Sequence, residues 1–79
     1  MMEIWDLSRV PPGKQVTIRE ILLDGRTRRR FYELGLIPGA QVTCLHRAPA
    51  GSPIAFAVCG AVLAIRKRDA AEIRTEPWT

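Results

Sequence analysis

The sequence predicts a small antiparallel β-barrel of about five strands, mainly β, with one short helix before the second strand. Several short segments alternate apolar and polar residues, and glycine or proline separates most of them. The strands do not alternate with long helices, as a parallel nucleotide-binding sheet requires. With 79 residues, 47% of them hydrophobic, we expect a single domain over residues 1–79 with a core from about residue 7 to residue 75.

The predicted strands follow one another at short intervals. In the first, Gln15–Ile21, Val16 and Ile18 share one face, and a bulge is expected before Ile21. Gly60 is expected to make a tight turn between the third and fourth strands. The later strands are predicted at Gln41–Arg47, Ile54–Val58, Val62–Arg66 and Ile73–Thr75.

One short helix is predicted over about residues 26–34. Asp24 or Thr27 can cap its first turn, because a side-chain oxygen accepts an amide hydrogen that has no partner inside the helix. A helix of about nine residues is marginal alone. Phe31 and Leu34 are therefore expected to hold it by packing against the sheet.

The segment between this helix and the second strand contains two predicted chain reversals. Gly35 stands at the C′ position of the helix, where only glycine adopts the left-handed conformation without steric cost. Pro38 and Gly39 fit the central positions of a type II turn. We expect Leu36 to close one end of the barrel and Ile37 to stay partly exposed.

Few residues suggest reactive chemistry. His46 and Cys44 lie two apart on a predicted strand, hence on the same face, and Cys59 is a third weak candidate metal ligand. A closed zinc site needs four ligands, however, and a free cysteine is usually a small core residue. We predict no catalytic residues, no enzyme activity and no cofactor, with weak binding of a divalent transition metal as the alternative.

The charge balance is basic, with 12 basic and 8 acidic residues and a formal net charge of +4. Such a balance suits nucleic acid, an anionic membrane or an acidic protein. Arg26, Arg28, Arg29 and Arg30 share the predicted helix but point in different directions, and Arg66–Arg68 forms a second cluster. Because no aromatic residue apart from Phe31 and Tyr32 interleaves these arginines, a solvated helix face or a surface for an acidic protein partner is favoured over nucleic acid.

Three features of the sequence indicate where in the cell the protein is expected. No apolar run approaches the roughly 20 residues of a membrane helix, so no direct membrane insertion is expected. Met1–Asp6 contains acidic residues and is not expected to be a secretory signal. The two cysteines form neither a CxxC motif nor a disulfide framework, which favours a reducing cytoplasm.

The third predicted strand carries small apolar residues on its outward positions, Ala55 and Ala57. Charged or polar residues are usual on a solvated strand, so this face suggests a surface that a partner or a second copy of the chain covers. A general bias toward alanine explains the same residues equally well.

Five segments between Arg30 and Ile73 form one further pattern, and the resemblance that they carry covers the chain from Leu7 to Ile73. With x for any residue, they read Arg30-Phe31-x-x-Leu34-Gly35-Leu36-x-Pro38-Gly39, Val42-x-Cys44-Leu45, Ala48-Pro49-x-Gly51-x-Pro53-Ile54, Gly60-x-x-Leu63-Ala64-Ile65-Arg66-Lys67 and Ala70-x-x-Ile73. Together they resemble the FeoA proteins of bacterial ferrous-iron uptake. Ala55, Ala57 and Cys59 depart from the polar or basic residues common in that family.

The resemblance implies an SH3-like barrel in the cytoplasm that acts with the FeoB-type membrane iron transporter, without catalysis. Two candidate partner-binding surfaces follow, one formed by the helix and the turn after it and one by the third strand. A homo-oligomer, a nucleic-acid-binding barrel and a metal-sensing domain are the alternatives. The candidate partner-binding residues are Arg28, Arg29, Tyr32, Ile37, Ala55 and Ala57.

Overall fold

A computed structural model describes residues 3–79 and contains the predicted barrel. The strands are β1 (Gln15–Ile21), β2 (Gln41–Arg47), β3 (Ile54–Val58), β4 (Ala61–Ile65) and β5 (Ile73–Thr75), and the helices are α1 (Gly25–Glu33) and the short α2 (Lys67–Ala70). Each predicted strand, and the predicted helix, lies within one residue of its observed position. The expectation about a secretory signal concerns in part Met1 and Met2, which lie outside the described residues.

All strand pairs are antiparallel, in the order β4-β3-β2-β1-β5. The first half of β1 pairs with β2, and the second half pairs with β5. The register shifts between Ile18 and Glu20, which confirms the expected bulge before Ile21. The bulge bends β1 between the half that pairs with β2 and the half that pairs with β5, so the sheet curves into a barrel.

The core lies inside this barrel and continues under the segment before β1. Phe56 of β3 and Leu36 have no exposed surface, so Leu36 closes the barrel as expected, whereas Ile37 is 41% exposed. The other fully or almost fully buried large residues are Leu7, Ile18, Ile54, Ile65, Ile73, Val10, Val42 and Val58.

Helix α1 begins and ends with local hydrogen bonds. Asp24 caps its start, with its Oδ1 atom accepting from the Thr27 amide at 3.2 Å. At its end, the Gly35 amide donates to the Tyr32 carbonyl at 3.0 Å and the Leu36 amide donates to the Phe31 carbonyl at 2.9 Å. These two bonds define a Schellman motif, and the φ of +92° at Gly35 confirms the predicted left-handed C′ residue.

The second reversal ties the end of the helix segment to the sheet. Gly39 has a φ of +91°, and the Ala40 amide donates to the Ile37 carbonyl at 3.0 Å, as in the type II turn expected at Pro38-Gly39. The Gly39 amide also donates to the Ile18 carbonyl at 2.7 Å. This bond fixes the turn against β1.

The packing of α1 differs in part from the prediction. Phe31 is 8% exposed and joins the core, whereas Leu34 is 40% exposed. The expectation that Leu34 holds the helix is wrong, because Leu34 is the C-cap residue and the left-handed turn at Gly35 directs Leu36 into the barrel instead.

Candidate functional site

The three candidate metal ligands do not come together. Cys44 pairs with Phe56, whereas His46 pairs with Ala55, and Leu45 is the extra residue of a bulge between them. Residues that face each other across a ladder share a side of the sheet, so Cys44 points into the core and His46 points outward. The expectation that both lie on one face is wrong, because one inserted residue reverses the alternation that spacing alone predicts.

Cys59 lies at the other end of β3, in a two-residue hairpin turn with Gly60. Their φ values are +49° and +79°, which is the pattern of a type I′ turn and confirms the predicted tight turn at Gly60. Cys59 is exposed, and its Sγ lies 3.8 Å from the carbonyl oxygen of Gly35. A non-glycine residue in this conformation is strained.

Cys44 is not in a setting that activates a thiol. Burial raises the pKa of the Cys44 thiol, and the positive charge of Arg47 opposes this only in part. Within residues 3–79, no three His, Cys, Asp or Glu side chains lie close enough to hold a metal ion. The same residues include no helix that is long and apolar enough to cross a membrane.

The outward alanines of β3 are less accessible than expected. Ala55 is 7% exposed and Ala57 is half-buried, so the prediction of an exposed docking surface at Ala55 is wrong. β3 has a paired strand on each side, and His46 and Ala64 flank Ala55. The side chain of Ala55 is a single methyl group, so it leaves little surface for a partner to contact.

The arginines of α1 divide between two flanks of the helix. At 100° per residue, Arg28 and Tyr32 lie about 40° apart, and Arg26 and Arg30 also lie about 40° apart, on the opposite flank. Arg29 lies between the two flanks, on the side away from Phe31. All four arginines are exposed, and Tyr32 is 43% exposed.

Helix α1 approaches β4, an end strand in the sheet order, and the turn before it at two points. Arg26 and Arg30 line one cleft together with Ala64 and Arg66. At the other end of the helix, a Cβ atom on Gly35 would lie 2.7 Å from the Sγ of Cys59. The two ends of α1 therefore approach the two ends of the β3–β4 hairpin, while Val62 between them stays exposed.

Two features of this surface escaped the sequence analysis. Val62 is 66% exposed on β4, and Arg66 joins the arginines of the helix. Leu63 and Ile65 pair with the core residues Phe56 and Ile54, so alternation along β4 could have identified Val62 as an outward residue. No sequence signal brings residue 66 to residues 26 and 30, because they are distant along the chain.

The fold and its surface define a small antiparallel β-barrel domain with one helix beside its end strand. Its distinguishing side chains in the described residues are exposed arginines, Tyr32, Ile37 and Val62, rather than converging reactive groups.

Comparison with known proteins assigns this barrel to a family. The family model described as FeoA domain matches residues 6–77. The Fe(2+) transport protein A/Fe(2+) transporter FeoB fusion protein of Porphyromonas gingivalis is 30% identical over 70 residues, which cover 89% of this chain and 8% of the fusion protein. The chain belongs to the FeoA family.

Solved structures agree with this assignment. The FeoA protein from Chlorobium tepidum is 31% identical, with a TM-score of 0.85 over 89% of this chain and 67% of that chain. Stenotrophomonas maltophilia FeoA, described as a prokaryotic SH3 domain protein complexed with zinc, is 24% identical. Its TM-score is 0.78, with 90% of this chain and 88% of that chain covered, and it supports the SH3-like fold.

Proposed function

We propose that this domain is a non-enzymatic, cytoplasmic accessory protein that binds an FeoB-type membrane transporter and modulates ferrous-iron uptake. The proposal assigns no resident cofactor to the domain, since ferrous iron is the cargo of the transporter. It also assigns no role to Cys44 or His46, which lie on opposite faces of β2.

The observation that carries the proposal is the fusion protein of Porphyromonas gingivalis. Its name joins transport protein A and the transporter FeoB in one chain, of which this chain spans 8%. Covalent joining of two modules raises their effective concentration, so it favours a pair that works in contact. The exposed surface of α1 is consistent with a partner that binds from outside the barrel.

The proposed contact surface is the flank of α1 that carries Arg28 and Tyr32, with Arg29 beside it and Ile37 in the following turn. Tyr32 and Ile37 are 43% and 41% exposed, and both arginines are exposed. Aromatic and arginine side chains are enriched where proteins bind each other, because they combine apolar area with directed hydrogen bonds. The outward face of β3 is not included, since Ala55 is buried.

The test is an affinity measurement between the purified domain and a detergent-solubilised FeoB-type transporter from the same source. Reversing two charges, in Arg28→Glu/Arg29→Glu, is expected to weaken binding by on the order of tenfold and to make the remaining affinity less sensitive to salt. Tyr32→Ala is expected to weaken binding at low and high salt alike, because it removes apolar contact.

A matched control changes the same number of charges elsewhere. Lys14→Glu/Arg19→Glu alters residues that line grooves near the chain termini, and it is expected to retain the wild-type affinity. If the Arg28→Glu/Arg29→Glu and Tyr32→Ala variants both bind like the wild type at low salt, α1 is not the contact surface. If the wild type does not bind the transporter at all, the proposed function is wrong.

A further inference from the structure

We propose that a second surface of this domain rests against an anionic lipid membrane. This surface, the α1–β4 face, combines three arginines with aliphatic side chains from a helix and the strand beside it. It lies on the flank of α1 opposite to Arg28 and Tyr32, so it does not depend on the proposed transporter contact. Its cleft is lined by Arg26, Arg30, Ala64 and Arg66, and helix and strand periodicity place Leu34 and Val62 on the same sides of α1 and β4.

The arginines of the α1–β4 face converge from two parts of the chain. Arg26, Arg30 and Arg66 line one shallow cleft of about 230 Å³. The one acidic side chain in that cleft is Asp69, whose Oδ2 lies 3.5 Å from an Nη atom of Arg66. Glu33 lines the adjoining groove with Arg26 and Arg30, so three guanidinium groups meet two carboxylates and one positive charge remains.

This arrangement of charge opposes the stability of α1. Its first turn contains Arg26 and no acidic residue, and Glu33 is its last residue. Helices favour the reverse order, because the N-terminal end of the helix dipole is positive. Arg26 and Arg30 also repel each other at a spacing of four residues. An anionic partner at this face would offset the unfavourable position of Arg26 and the repulsion between Arg26 and Arg30.

The aliphatic part of the face is exposed. Val62 is 66% exposed, more than any other large hydrophobic side chain in residues 3–79, and Leu34 is 40% exposed. Val62 and Ala64 point to the same side of β4, and Ala64 lines the cleft of the arginines. Arginines beside exposed aliphatic side chains are typical of surfaces that lie in the headgroup region of a bilayer.

An anionic membrane explains both parts of this face better than nucleic acid does. Phe31 borders the cleft but is buried in the core, and Tyr32 lies on the other flank, so the face offers no platform for stacked bases. Aliphatic side chains contribute little to a phosphate backbone but gain from contact with acyl chains. A lipid surface supplies phosphate and carboxylate groups at every position, so the arginines need no matched spacing.

The test is co-sedimentation of the full chain with lipid vesicles that contain no transporter. We expect binding to phosphatidylcholine vesicles with about 30% phosphatidylserine, and none to pure phosphatidylcholine vesicles. Arg26→Gln/Arg30→Gln is expected to lower the partition coefficient by on the order of 25-fold, since each basic residue near an anionic surface contributes about fivefold. Val62→Ser is expected to lower the partition coefficient a few-fold, and this loss is expected to persist at high salt.

The control variant Lys14→Gln/Arg19→Gln loses the same charge and is expected to change partitioning by less than about threefold. The proposal is overturned if phosphatidylserine does not promote binding, if the control loses as much as Arg26→Gln/Arg30→Gln, or if a short DNA duplex or poly-glutamate binds more tightly than the vesicles. Because the vesicles hold no transporter, this result and the transporter-binding result can fail independently.

Discussion

The barrel and helix α1 differ in how much of each is buried. In β3, four of the five residues are buried, and Phe56 has no exposed surface. Of the nine residues of α1, all within the described chain, Phe31 alone is buried. The barrel is therefore stabilised by its core, whereas the helix depends on one side chain, one cap and the Schellman motif at its end.

In this small domain, the barrel core supports the fold, whereas the surface of α1 is available for binding. The barrel residues that face inward cannot change without loss of packing, because protein interiors are close to fully packed. The outer side chains of α1 contribute little to folding, so they are free to carry charge and aromatic groups for binding. Even an unfavourable order of charges, with Arg26 in the first turn and Glu33 at the end, is tolerated there.

The largest expected effect compares one phenylalanine from each region. Phe56→Ala is expected to lower the free energy of unfolding by about 3–5 kcal/mol, because it leaves a cavity in the barrel core. Phe31→Ala is expected to cost about 1.5–3 kcal/mol, since the side chain lies at the margin of the core. Urea unfolding measures both, with exposed Tyr32→Ala as the control within about 0.5 kcal/mol. Equal losses of unfolding free energy in Phe56→Ala and Phe31→Ala would contradict this difference between the barrel and the helix.

A smaller effect is expected where the helix meets the barrel. Gly35→Ala forces a side chain into a left-handed residue with φ of +92° and places its Cβ 2.7 Å from the Sγ of Cys59. We expect a cost of about 2 kcal/mol, of which about 1 kcal/mol is the backbone term. In a Cys59→Gly background the contact is gone, so the cost is expected to fall to the backbone term. Strictly additive costs in the double-mutant cycle would show that the two positions do not interact.

The smallest expected effect concerns the buried thiol of the barrel. Burial raises the pKa of Cys44 in the folded state, which disfavours the thiolate there. The buried Cys44 thiol makes its full contribution to the free energy of unfolding below the pKa of this thiol in the unfolded chain, about 8.5. That contribution is lost as pH rises through the pKa of the thiol in the folded state. Urea unfolding from about pH 8 to about pH 10 should therefore show a decline that Cys44→Ala reduces. Cys59→Ser should retain the decline, and its loss in that variant would contradict the assignment to Cys44.

The sequence determined the features that depend on residues close together along the chain. The cap at Asp24, the left-handed Gly35 and the turn at Gly39 each depend on the backbone preference of one residue and its neighbours. Alternation of apolar residues located the five strands within one residue of their observed bounds. The same local pattern indicated that Leu36 is buried and Ile37 exposed.

Only the tertiary structure decided the features that depend on pairing between distant segments. The bulge at Leu45 turned His46 away from Cys44, because strand register depends on the partner strand as well as on spacing. Ala55 lies between paired strands on both sides and is buried, although alternation along β3 places it on the outer face. The meeting of Arg66 with α1 requires the chain to close around the barrel, so no pattern within either segment could predict that part of the candidate site.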